Sequence, residues 1–137
     1  MTSTVELVER LRATRARTLE RLAAVADAQM DLAPQVGERP VFVRGMFHRI
    51  LSHQVEHTIH LVKVLRGLGV RQSEAQMLLA RLQAAQGELE GLLIGLSDHQ
   101  TERAPAEGEW SVEHVLRHMM ETEESYLQRL AEALEKT

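Results

Sequence analysis

The chain nearly repeats itself, and this limits what it can fold into more than any other feature. Residues 7–37 align with 78–108 without a gap, pairing Pro34 with Pro105, Gly37 with Gly108 and Glu38 with Glu109. A two-residue shift then pairs Met46 with Val115, Phe47 with Leu116 and Ile50 with Met119. One helical hairpin cannot bury its own apolar stripe, whereas two packed together can, so the repeat points to a four-helix bundle.

The apolar spacing supplies the helices. Ser3 with Glu6 has the spacing of a capping box, in which each side chain satisfies a free N–H of the first turn. Val8, Leu11, Leu19, Leu22 and Ala26 then follow a helical period, which predicts a first helix to about Met30. Pro34, Gly37 and Pro40 break the chain. A second helix is expected from Val43 to Arg66, ended by Gly67 and Gly69. Ser73 with Gln76 opens a third, expected to reach about Leu96, and the segment SDHQTERAPAEGE reads as a loop. Ser111 caps a fourth helix, and Trp110 and Val115 have the spacing of a hydrophobic staple. Gly87, Gly91 and Gly95 recur every four residues and read as a close-packing stripe, while Trp110, Met119 and Met120 read as bundle packing. No stretch alternates like a strand. The expectation is an all-α, up-down-up-down bundle in one domain over residues 1–137, built of hairpins at about 3–67 and 73–137.

Charge and composition remove several classes of function. Lys plus Arg is 16 and Asp plus Glu 20, a net charge of −4, which argues against nucleic-acid binding and against attachment to anionic lipid by charge. With Cys at 0, the chain has no disulfide, no thiolate metal site and no cysteine nucleophile. No apolar run approaches the roughly 20 residues of a membrane span. MTSTVELVER has no charged-then-apolar signal pattern, so a soluble, cytoplasmic protein is expected.

Histidine is the unusual residue. Of 7 in all, His48, His53, His57 and His60 fall in one segment and His114 and His118 in another, with His99 apart. At about 100° per residue, His57 lies about +40° and His60 about −20° from His53, so the three share one face. His53 is about 15 Å along its helix from Val43, and His118 about 10 Å from Ser111, at 1.5 Å per residue. In the expected bundle the second and fourth helices run parallel from the same end, about 12–14 Å apart on the diagonal. Imidazoles from both then reach a common point at similar depth. His53, His57 and His118 would form a three-nitrogen site for a divalent metal ion (Zn, Ni or Fe), leaving positions open for water or substrate. Glu121, one turn beyond His118, is placed to orient a ligand or a metal-bound water. His60 reads as a residue beside the site. His114, at a helix start where a cation is unfavourable, reads as exposed, as do His48 and His99.

Two runs carry a family resemblance. GEWSVEHVLRHMMETEESYLQRL resembles the Trp-Ser-Val…His helix of the DinB-like superfamily, and HQVEHTIHLVKVLRGLG resembles its other metal helix, with His-x-x-x-His-x-x-His before a Leu-Arg-x-x-Gly ending. The resemblance implies a four-helix bundle holding a divalent metal through His118, His53 and His57, with His60 as the trailing histidine. The family includes metal-dependent thiol transferases and thiol-dependent isomerases, and dimers are common in it. The order of the two helices is reversed here, and Leu61, Val62 and Lys63 stand near the place where many relatives carry Arg-Gly-Gln. A duplicated hairpin makes the two helix positions nearly interchangeable, so a metal centre survives the swap while the surrounding loops, and with them substrate recognition, do not carry over.

The resulting expectation is a metal-dependent enzyme, a transferase or a hydrolase, with the resemblance favouring a thiol-dependent transferase acting on a small-molecule or thiol substrate. The alternatives are a non-catalytic bundle that forms a homodimer or binds a partner, with a structural histidine cluster, and a module regulated by histidine protonation near about pH 6.

Overall fold

The computed structural model describes residues 1–137 as two compact units, Met1–Ile94 and Gly95–Thr137. The chain is all-α apart from one minimal hairpin. No helix is long and apolar enough to cross a membrane.

The first unit opens with α1 (Thr4–Leu22). Its capping box is formed: Ser3 N–H donates to Glu6 Oε2 at 2.9 Å, and Glu6 N–H donates to Ser3 Oγ at 3.1 Å. The helix stops short of Met30. Ala26 turns extended, its N–H donating to Gln29 Oε1 at 2.9 Å, and the chain re-enters as a separate 3-10 helix over Asp27–Asp31. Local side-chain bonding to the backbone competes here with continued helix. Strands β1 (Gln35–Val36) and β2 (Arg39–Pro40) then pair antiparallel around Gly37, whose φ of 61° suits a residue without Cβ. Strands of two residues cannot display an alternation, so the hairpin left no strand signal to read.

α2 (Val43–Gly67) is about 37 Å long at 1.5 Å per residue. It starts without a side-chain cap, steadied instead by the Arg44–Asp31 ion pair to the 3-10 helix. It ends in a Schellman turn: Val70 N–H donates to the Leu65 carbonyl and Gly69 N–H to that of Arg66, both at 3.0 Å, with Gly69 at φ 68°. α3 (Glu74–Leu92) begins at the Ser73–Gln76 capping box and stops four residues before Leu96. Arg15 of α1 reaches Glu90 of α3 at 3.1 Å.

The second unit holds α4 (Asp98–Glu102) and α5 (Val112–Glu135). α4 lies in the segment expected to be a loop. It forms because Ser97 and Gln100 make a third capping box, with bonds of 3.0 and 3.2 Å. α5 starts where Ser111 Oγ accepts from His114 N–H at 3.1 Å. The order of elements thus occurs twice: long helix, short helix, left-handed glycine (Gly37, then Gly108), long helix.

Neither unit buries a residue. In the first unit no Cα of α1, α2 or α3 lies within 8 Å of a Cα of another of the three. The partly covered apolar residues repeat between the halves, with Leu22, Val25, Val43 and Phe47 corresponding to Leu93, Leu96, Val112 and Leu116. Met119 and Met120, expected in bundle packing, are exposed. The glycine stripe is not a close-packing surface: an added Cβ at Gly87 or Gly91 would meet nothing within 4 Å, and Gly95 lies beyond the helix at φ 81°.

Candidate functional site

The histidines of α2 stand together as the helix period requires. The rings of His53 and His57 lie 4.4 Å apart, centroid to centroid, at 61°, and those of His57 and His60 lie 5.7 Å apart at 42°. All three are exposed. His57 and His60 share an open groove of ≈ 270 Å³ with Glu56, Ile59 and Lys63, all on this one helix.

Their position around the helix matters more than their exposure. Measured from His53 at about 100° per residue, Met46 and Val64 fall at about 20° and Ile50 at about 60°, bracketing His57 at about 40°. Arg49, Glu56 and Lys63 fall at about −40°, −60° and −80°, on the other flank. His53 and His57 therefore sit on the margin of the apolar arc, the side of an amphipathic helix that seeks cover. A purely solvated histidine stripe would lie among the charges.

α5 presents its histidines differently. The Trp110 indole lies 4.3 Å from the His114 ring at 34° and 5.1 Å from the His118 ring at 66°. Trp110 is thus not buried in a bundle: it covers two imidazoles and stays 49% exposed. Its spacing, four residues to His114 and eight to His118, was the sequence signal for this contact. His114 is exposed, as expected, but is not free of neighbours. Alongside, Arg117 is paired with Glu113 at 2.6 Å. The hydrogen bond and charge of Glu113 raise the Arg117 pKa above its ordinary value, and the Glu121 carboxylate adds a smaller push the same way.

No group of three or more His, Cys, Asp or Glu side chains is arranged to hold a metal ion. His53 and His57 are neighbours in the first unit, and His118 belongs to the second. The donor chemistry of the pair fits a divalent cation, because two imidazoles four residues apart on one face suit zinc, nickel, iron or copper alike.

Residues 81–136 match the family model of the DinB superfamily. The match assigns that segment to the superfamily and supports a DinB-like assignment for the chain. It covers α4, α5 and most of α3, so it includes Trp110, His118 and Glu121, and it leaves His53 and His57 outside. No curated protein and no solved structure matches the chain significantly.

Proposed function

We propose that this DinB-like protein is a divalent-metal-dependent enzyme, with His53, His57 and His118 as ligands. The carrying observation is the His53–His57 ring pair, 4.4 Å apart on the margin of the apolar arc of α2. A bound divalent ion would supply Lewis acidity, lowering the pKa of a water or thiol at the site. For their part, His53, His57 and His118 would each offer a neutral nitrogen. Glu121 would orient the third ligand or accept a proton from the incoming nucleophile. The chain has no cysteine, so a thiol nucleophile would come from a cosubstrate; the likeness to the superfamily is what favours a thiol-dependent transferase, here acting in the cytoplasm on a small molecule. The test is metal content after purification without a histidine tag. Wild type is expected to carry close to one equivalent and His118→Ala far less; equal, substoichiometric content in both would contradict the reading.

A second reading, a non-catalytic module that assembles as a homodimer, is favoured by one observation: neither unit buries a residue, so the apolar faces of α1, α2, α3 and α5 need covering. Sedimentation equilibrium with and without chelator separates the two. A dimer unaffected by metal removal and by His57→Ala, in a protein that takes up no metal, supports the module.

A further inference from the structure

We infer that Trp110 is a positioning residue for His118, a role that rests on the proposal that His118 is a metal ligand. An apolar residue just before an N-cap ordinarily folds back onto the residue four places into the helix, here Val115. Here the indole also meets rings that such a staple does not require, lying against those of His114 and His118 at 4.3 and 5.1 Å. The cap fixes this arrangement from below. Ser111 Oγ accepts from His114 N–H at 3.1 Å and holds the first turn, so the backbone that carries Trp110 is anchored to the helix that carries His118.

The consequence concerns rotamers. An exposed histidine on a helix samples several side-chain orientations, and a ligand must give up that freedom to bind an ion. A rigid indole against one side of His118 removes part of that freedom in advance. On α2, His53 and His57 constrain one another through their own ring contact; on α5 the ring set against His118 is the Trp110 indole. Trp110 acts through His118 and touches no reacting atom.

The test uses the full, metal-free chain and then Zn²⁺ alone. Nuclear Overhauser contacts between indole and His118 ring protons are expected in the metal-free protein, with the His118 resonances moving in Trp110→Leu. Zn²⁺ affinity, read by competition with a chromophoric chelator, is expected to fall about tenfold in Trp110→Leu, as when groups orienting a metal ligand are removed. Trp110→Phe, which keeps an aromatic wall, is expected to restore affinity to within about threefold of wild type at equal helicity. Missing Overhauser contacts overturn the inference without any variant, so the result stands even if Trp110→Leu fails to fold. Equal Zn²⁺ affinity in wild type and a folded Trp110→Leu also overturns it. A wild-type chain that binds no Zn²⁺ while showing the contacts overturns the metal reading and takes the role of Trp110 with it; missing contacts with Zn²⁺ bound overturn the role of Trp110 alone.

Discussion

The histidine faces of α2 and α5 share a spacing and differ in everything around it. On α2, His53 and His57 touch each other on the margin of an apolar arc, on a helix that starts without a side-chain cap. On α5, His114 and His118 share one indole, on a helix held by Ser111 and flanked by the Glu113–Arg117 pair. Two histidines four residues apart on a helix are thus not one motif. On the proposed metal reading, rings that meet each other act as a donor pair, and rings covered by one indole act as one donor with a wall.

That contrast breaks most readily at the donor pair. His57→Ala removes a proposed ligand and the ring contacts to both His53 and His60, and is expected to weaken Zn²⁺ binding by more than about 100-fold, beyond the cost of losing an orienting group. His114→Ala is expected to change it by less than about threefold, since His114 orients nothing that His118 needs beyond the shared indole. Calorimetric titration of both variants decides whether the two faces differ in kind. If His114→Ala proves as damaging as His57→Ala, α5 also supplies a donor pair and the distinction fails.

The next effects are on stability. Gly108→Ala forces a side chain into a left-handed turn two residues before Trp110 and is expected to cost about 1–2 kcal/mol in urea denaturation. Ser111→Ala removes the cap of α5 and is expected to cost about 1 kcal/mol. It should also loosen Trp110, so the indole contacts to His118 weaken in the same variant. α2 has no equivalent residue to remove, and its histidine contacts should be indifferent to changes at its N-cap, Phe42. The smallest change is expected from Glu121→Gln. It keeps the shape and removes the charge, and should lower Zn²⁺ affinity by no more than about threefold, below the tenfold and larger costs of strongly coupled orienting groups.

Much of the fold was legible because it is written in local chemistry. Ser3 with Glu6 and Ser73 with Gln76 announce helix starts that form as capping boxes, and Gly69 marks the end of α2 with a left-handed turn. The same signal at Ser97 and Gln100 was masked by Pro105 and Gly108 downstream, which made the whole segment read as loop. The end of α1 was not legible. Ala23, Ala24, Ala26 and Ala28 all favour helix, and the break falls where Ala26 turns extended and its N–H bonds the Gln29 side chain.

The site divides along the same line. The His53–His57 contact follows from a four-residue spacing, which a helix turns into adjacency. The contact of Trp110 with His118 is equally regular in spacing, but the staple rule points a tryptophan before a cap only to Val115, so the histidine contact emerges from the ring geometry alone. The resemblance to the superfamily divides as well: the Trp-Ser-Val half lies inside the matched segment, and the His-x-x-x-His half lies outside it.

The most direct measurement is X-ray absorption at the zinc edge of the tag-free, zinc-loaded chain, beside His118→Ala. The account predicts an ion bound through three imidazole nitrogens in the wild type and through two in the variant. Identical imidazole scattering from both proteins would contradict it.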